Sequence, residues 1–205
     1  PSRGLGDVYK RQPYTGKART QPGTQQDPLS GYASYYSKDN ERALPGYYEV
    51  LLKTHRTKVE LTASDRVAFH RYTFPKDVEK HVMINLKDAN GDDRPTDTYL
   101  EQINDTVIRG YRYSTGWSKK QQIYFSAVFS QPVHLTLYHD SVQVAGNRLQ
   151  GLDVKGNVAV APVVEELGVK VGISPVSMEN AMDNIGQEIK DWNFENIVAE
   201  TTGKW

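Results

Sequence analysis

Apolar and polar residues alternate along most of the chain from Tyr47 onward. In the segment KVELTAS, Val59, Leu61 and Ala63 alternate with polar residues, and HVMINLKD and QQIYFSAVFS repeat the pattern. A period of two places successive side chains on opposite faces of a β-strand. Short segments rich in turn residues, namely TFPKD, DANGDD, SQP and VAGNR, separate these strands. The pattern therefore predicts an all-β fold, an antiparallel sandwich or barrel.

The two ends of the chain do not follow this pattern. Residues 13–40 are polar and rich in Pro, Gly, Gln, Ser and Tyr, which predicts a loop that crosses the surface. After Ser177, which can cap a helix, apolar residues return at helical spacing. They are Met178, Ala181, Met182, Ile185 and Ile189. A second helix is predicted within DWNFENIVAETTGKW.

These patterns predict three segments. Residues 1–12, PSRGLGDVYKRQ, are interpreted as non-native sequence. Residues 13–176 form the predicted β-sandwich domain, and residues 177–205 a helical linker toward a C-terminal domain.

Composition excludes several classes of function. The chain has 25 Lys and Arg against 25 Asp and Glu, so its net charge of zero argues against nucleic acid as a partner. There is no cysteine, which excludes disulfides and thiolate metal sites. No apolar run reaches about 18 residues, so no membrane span is predicted. The N-terminus shows no signal-peptide pattern.

Few motifs indicate a metal site or a nucleophile. DANGDD, residues 88–93, lacks the spacing of a calcium-binding EF-hand, and we interpret Asn90 and Gly91 as a hairpin turn. None of the five histidines forms a pair at zinc-chelating spacing. No serine lies in a nucleophile elbow, and no pair of carboxylates can be selected from so many.

Aromatic residues give a further candidate site. RGYRYSTGWSKKQQIYF, residues 109–125, brings Tyr111, Tyr113 and Trp117 to a strand end and its loop. Such residues suit a packed sheet face or a contact between domains, because they combine apolar area with a polar group. Their flat rings also suit the apolar faces of sugars. Packing is the favoured interpretation, and sugar contact stays as the alternative.

The longest distinctive motif covers residues 31–75, GYASYYSKDNERALPGYYEVLLKTHRTKVELTASDRVAFHRYTFP. It resembles the N-terminal domain of glycoside hydrolase family 92, chiefly through NE, PGYY, ELTA and the final FP. INLKD, IRGYRYSTGW and VKVGISPVSMENAMDNI follow in the order of that family. The resemblance covers nearly all residues from Tyr14 onward.

The resemblance implies a function. Members of this family are mostly calcium-dependent, exo-acting, inverting α-mannosidases that bacteria export to the periplasm or cell surface. They join a supersandwich-like β-sandwich to a helical barrel, which supplies the general acid, the general base and most Ca²⁺ contacts. The resemblance thus implies two partners for this chain, a catalytic barrel of the same polypeptide and a mannose-containing glycan. Ca²⁺ is expected in the barrel and not in this chain.

The chain also departs from the family pattern. SYYSKDN stands where the family has Phe-Ser-His before the Asn, and the His- and Gly-rich loops upstream have no counterpart in residues 1–30. These 205 residues are expected to lack the catalytic barrel of the family. We therefore expect a non-catalytic fragment and assign no catalytic or metal-binding residue. Trp117, which matches a family Gly-Trp pair, is the single candidate substrate-binding residue. The alternative function is a stand-alone carbohydrate-binding or scaffold sandwich.

Overall fold

The structure is a computed structural model that describes residues 11–24, 27, 30–88, 92–116 and 118–204. Its elements, in chain order, are the following. The strands are β1 (Arg11–Thr15), β2 (Glu41–Leu44), β3 (Tyr47–Leu52), β4 (Thr57–Ala63), β5 (Val67–Thr73), β6 (Lys80–Asn85), β7 (Arg94–Asn104), β8 (Val107–Thr115), β9 (Gln121–Phe129), β10 (Val133–His139), β11 (Val142–Val144), β12 (Arg148–Gly151), β13 (Val154–Val160) and β14 (Glu166–Ser174). The helices are α1 (Met178–Glu188) and α2 (Phe194–Gly203), and a 3₁₀ turn covers Lys38–Asn40.

Two antiparallel sheets form a sandwich, which confirms the predicted fold class. One sheet has five strands in the order β1-β6-β13-β10-β11, and the other has nine in the order β12-β7-β8-β9-β14-β5-β4-β3-β2. Alternate side chains of both sheets meet in one core, where Leu100, Ile108, Leu137 and Val158 are fully buried.

The two C-terminal helices, which the helical spacing predicted, cover part of the outer face of the nine-stranded sheet. Val67 and Phe69 of β5 pack against Ile185, Phe194 and other apolar residues of this segment. The Ser177 side chain caps α1 by accepting a hydrogen bond from the Asn180 N–H at 3.0 Å. The helices therefore form a second, smaller core on the outer face.

The prediction of a loop over residues 13–40 is wrong at its start. Arg11–Thr15 form a strand that pairs with β6, and the side chains of Tyr14 and Tyr32 are completely buried. The strand escapes detection because a five-residue segment, RQPYT, shows no apolar alternation. Polar partners hold it in place, and a hydropathy pattern cannot reveal them.

Candidate functional site

Four turns lie together at one end of the nine-stranded sheet. Antiparallel pairing places the β2–β3 turn, the β4–β5 turn, the β8–β9 turn and the β14–α1 connection at the same end. The sequence motif PGYY forms the first of these turns, where Gly46 has a positive φ of 78°. Two of the motifs that carry the family resemblance, PGYY and the end of ELTA, thus meet at this end of the fold.

The inner face of the sheet stays partly open at this end. Val59 and Tyr72 belong to the buried core, whereas Leu61 and His70, two residues nearer the turns on β4 and β5, are only partly buried. Ile123 and Ile173 also lie on the inner face and are 45% and 44% exposed. We call this surface the open shelf, and its side chains are Ala43, Tyr48, Leu61, Ala68, His70, Ile123 and Ile173.

A cavity of about 690 Å³ lies on the half of the open shelf nearest β2. Tyr48, Leu61 and His70 line it from the strands, and Thr201 and Lys204 line it from the end of α2. This volume falls within the range of about 300–1,000 Å³ typical of pockets that hold a compact ligand or side chains. The cavity is therefore large enough to receive several apolar side chains.

The polar groups around the cavity are already paired. The Tyr48 hydroxyl donates to Glu41 Oε1 at 2.8 Å, and Lys204 Nζ lies 2.9 Å from Asp65 Oδ1. Burial raises the pKa of the Tyr48 hydroxyl, and the bond to Glu41 raises it further. His70 Nδ1 lies 2.7 Å from the Tyr72 hydroxyl. The side chains that line the cavity are thus held in place by hydrogen bonds, which suits a packing surface better than a site of proton transfer.

A half-buried ion pair lies beside this end of the sheet. Arg112 occupies an inner-face position of β8, opposite Ile123, and its Nη1 lies 2.7 Å from Asp93 Oδ2. Arg112 Nε also donates to the Leu86 carbonyl at 2.9 Å. Arg112 Nη2 and Asp93 Oδ1 are buried with no hydrogen-bond partner. The sequence alone does not reveal this pair, because an arginine in a strand pattern normally lies on the solvent side.

Trp117, the predicted substrate-binding residue, lies outside the described residues, as does the predicted Asn90–Gly91 turn. The residues on either side of Trp117 are described. The Gly116 N–H donates to the Ser118 carbonyl at 3.0 Å, in the β8–β9 turn at the open end of the sheet. Gly116 packs closely on Asp93, since a Cβ there would lie 2.9 Å from Asp93 Cα. The role of Trp117 stays a prediction.

Tyr111 and Tyr113 lie on the outer face of the sheet, opposite the open shelf. Their rings stack with centroids 4.4 Å apart, and Tyr99 stacks on Tyr111 at 5.5 Å. The Tyr111 hydroxyl donates to Asp97 Oδ2 at 2.9 Å, and the Tyr113 and Tyr124 hydroxyls lie 2.5 Å apart. Because the rings cover one another and the hydroxyls are paired, this geometry favours packing over sugar contact for these tyrosines.

The described residues do not fit a calcium site. Among residues 11–24, 27, 30–88, 92–116 and 118–204, no three His, Asp or Glu side chains converge to hold a metal ion. Calcium takes six to eight oxygen ligands. The carboxylates of Asp88, Asp93 and Asp97 are each hydrogen-bonded to a neighbouring side chain.

Within the same described residues, no helix is long and apolar enough to cross a membrane.

The chain is similar to a known family of glycosyl hydrolases. The family model "Glycosyl hydrolase family 92 N-terminal domain" matches residues 3–174. The chain belongs to glycosyl hydrolase family 92, as its N-terminal domain. No curated protein matches the chain.

Solved structures of family 92 enzymes share this fold. The α-mannosidase BT3965 from Bacteroides thetaiotaomicron, also solved with mannoimidazole, is 30% identical over 95% of this chain, with a TM-score of 0.89. The family 92 glycosyl hydrolase ccman5 (23% identity over 95% of this chain, TM-score 0.80) and the inverting mannosidase BT2199 from B. thetaiotaomicron VPI-5482 (19% over 95%, 0.77) share the fold. The chain spans 27% of the length of BT3965 and of ccman5, and 25% of that of BT2199.

Proposed function

We propose that this chain is the non-catalytic N-terminal domain of an exo-acting, inverting α-mannosidase that trims mannose from glycans. The observation that carries the proposal is its likeness to a family 92 α-mannosidase, 30% identical across 95% of the chain. The ordered motifs of residues 31–75 support it independently of the structure. By the same family resemblance, the enzyme acts in the periplasm or at the cell surface.

The open shelf is the surface through which this domain serves the enzyme. It holds the catalytic domain of the same polypeptide, whose apolar side chains enter the cavity beside Tyr48, Leu61 and His70. Apolar surface removed from water contributes about 25 cal/mol per Å², so an exposed row of this kind favours association. Lys204, at the end of α2, borders the same cavity and adds the stem of its side chain to the lining.

In the whole enzyme, this domain forms one wall of the substrate cleft. An inverting glycosidase needs two carboxyl groups separated by about 6.5–9.5 Å, so that a water fits between base and sugar. The carboxylates that border the shelf, Glu41 and Asp65, are occupied by Tyr48 and Lys204. The acid, the base and the Ca²⁺ ligands are therefore assigned to the catalytic domain, while this domain excludes water and fixes the position of its neighbour.

An activity assay tests the proposal. The purified chain is incubated with manno-oligosaccharides and Ca²⁺, and released mannose is measured beside a two-domain family 92 α-mannosidase as positive control. The expected result is mannose release by the two-domain enzyme, abolished by a chelator, and none by the chain alone. Calcium-dependent release by the pure chain would overturn the proposal that it is non-catalytic.

The alternative of a stand-alone carbohydrate-binding module has its own test. Calorimetric titration of the chain with mannose and mannobiose is expected to give no binding heat, because the tyrosines of β7–β9 are engaged with one another. A saturable heat that Trp117→Ala abolishes would support the binding module instead. Phe129→Leu, a substitution in the buried core, is the control for protein integrity.

A further inference from the structure

The N-terminal crossing, which we define as the described residues between 11 and 34, is fastened to the five-stranded sheet by a separate cluster. Tyr14, Tyr32 and Met83 form a small buried core apart from the main one. The Tyr14 hydroxyl donates to Asn157 Oδ1 at 2.6 Å and accepts from the Arg19 N–H at 2.9 Å. This cluster lies on the outer face of the sheet, away from the open shelf, so the inference does not depend on the proposed function.

His55 joins three segments of the chain through one imidazole ring. Its Nε2 lies 3.1 Å from the carbonyl oxygens of both Tyr32 and Ala33, so it carries the proton and donates. Its Nδ1 accepts from the Thr15 N–H at 3.3 Å. Both ring nitrogens are thus used in the neutral form. A second proton on Nδ1 would face the Thr15 N–H and break that bond.

His81 is held neutral in the same way on the other side of Tyr14. Its ring stacks on Tyr14 with centroids 5.0 Å apart. Because Asn157 Oδ1 accepts from Tyr14, the Asn157 Nδ2 group donates to His81 Nδ1, at 3.1 Å. His81 Nε2 therefore carries the proton, and it is buried beside the Gly16 backbone. A protonated His81 would place two donors face to face at Asn157.

We propose that protonation of His55 and His81 releases the N-terminal crossing from the sandwich in mildly acidic solution. The crossing pairs with the five-stranded sheet through β1, an edge strand, and its later residues are held by His55 and Asn85. Its small core is separate from the main core, so it can open locally while the two sheets stay packed. The device is a latch in which two neutral histidines flank one tyrosine.

The environment of the two histidines favours opening of the crossing as the pH falls. Burial lowers the pKa of both His55 and His81 below the ordinary value, so the closed crossing binds fewer protons than the open one. Opening is therefore favoured as the pH falls below about 6.5, the ordinary histidine pKa, and the latch is fully closed above it. The ionisable groups around the two rings are Tyr14, Arg19, Tyr32, Glu79, His134, Tyr138 and Lys155, and of these Glu79 raises the pKa of His81 by its charge.

Hydrogen exchange followed by mass spectrometry tests the latch. Peptides that cover residues 13–34 are compared at pH 7.5 and 5.5, with exchange times scaled for the chemical exchange rate. Their opening constant is expected to rise by up to about tenfold for each histidine. Peptides of β13 and β14 are expected to keep their protection. Equal protection of the crossing at both pH values, or parallel loss throughout the sandwich, would overturn the proposal.

A double variant separates titration from mere packing. In His55→Gln the amide can still donate to the Tyr32 and Ala33 carbonyls, and in His81→Asn the side-chain oxygen can still accept from Asn157. The opening of the crossing is expected to lose its pH dependence in the double variant. His134→Gln, at an exposed position on the same sheet face, is the control and is expected to retain it.

A second measurement does not depend on how the variant folds. In the wild-type chain, the ring-proton NMR shifts of His55 and His81 are followed between pH 8 and 5. Both rings are expected to titrate below about pH 6.5, over the same range in which the crossing opens. Titration of both rings without any opening of the crossing would overturn the latch, as would opening that precedes their protonation.

Discussion

The two ends of the inner face of the nine-stranded sheet have the same alternation and opposite environments. At one end Ile108 of β8 is completely buried under the five-stranded sheet. At the other end Ile173 of β14 also points to the inner side but is 44% exposed. Both residues are isoleucines on the inner face of one antiparallel sheet, so neither residue type nor period accounts for the difference in exposure.

The difference lies in which part of the inner face is covered. The main core buries the end that holds Ile108, whereas the turn end keeps the half-exposed Ile123 and Ile173 of the open shelf. A free apolar surface in a sandwich is unusual for a self-sufficient domain and typical of a surface that meets a partner. The covered end thus carries the stability of the chain, while the open end carries the proposed contact with the catalytic domain.

The largest expected effect is at the covered end. Ile108→Ala removes three methyl or methylene groups from a filled core, where large-to-small substitutions of this kind cost about 2–5 kcal/mol. Urea unfolding followed by circular dichroism measures the loss in the free energy of unfolding. A loss below about 1 kcal/mol would show that the core around Ile108 is loosely packed, and it would contradict the stated contrast between the covered end and the open end.

A second effect is expected where helix α2 covers the outer face of β4. Arg71 binds Glu60 through both Nε and Nη2, at 3.0 and 2.9 Å, and the Tyr47 hydroxyl donates to Glu60 at 2.8 Å. Because the half-buried Arg71 loses its charged partner, Glu60→Gln is expected to cost about 2 kcal/mol at pH 7. Glu195→Gln, which removes an exposed partner of the same arginine, is the control and should cost less than about 1 kcal/mol.

The Glu60 variant also predicts a pH dependence. Burial alone would raise the pKa of Glu60, but hydrogen bonds from Arg71, Tyr47 and Lys58 outweigh it and lower the pKa to about 2. The carboxylate therefore stabilises the fold above its ordinary pKa of about 4.3, and this contribution is lost as the pH falls through about 2. The gap in unfolding free energy between wild type and Glu60→Gln should narrow from pH 7 to pH 3, and a constant gap would refute this origin.

The smallest effect is expected on the open shelf. Ile173→Ala is the counterpart of Ile108→Ala at a half-exposed position, so in the chain alone it should cost less than about 1 kcal/mol. The same urea titration measures both variants. If the two substitutions cost the same, the shelf is as well covered as the core and the comparison fails.

Much of the fold is visible in the sequence. Alternation in KVELTAS, HVMINLKD and QQIYFSAVFS correctly predicts β4, β6 and β9, and the helical spacing after Ser177 predicts α1. Strand β1 is hidden because hydrogen bonds and a buried Tyr14, rather than apolar alternation, hold it to β6. Local patterns reveal an element only when its own residues carry the signal.

The site was less predictable than the fold. Tyr48 and His70 appear in the sequence as family motifs, but only the pairing of β3, β4 and β5 brings them to one cavity. The period of two tells which side chains share a face, and it carries no information on how far the opposite sheet extends. Tyr111 and Tyr113, prominent in the sequence, belong to the outer face instead.

The most direct test of the account measures side-chain exposure on the open shelf in two proteins. Hydroxyl-radical footprinting with mass spectrometry compares this chain alone with a polypeptide in which it is joined to a family 92 catalytic domain. Oxidation of Leu61, Ile123 and Ile173 is expected to fall severalfold in the joined protein, while Val142 and Val163, which are 70% and 86% exposed elsewhere, stay unchanged. Unchanged oxidation of the shelf residues in the joined protein would contradict the proposal that this surface receives the catalytic domain.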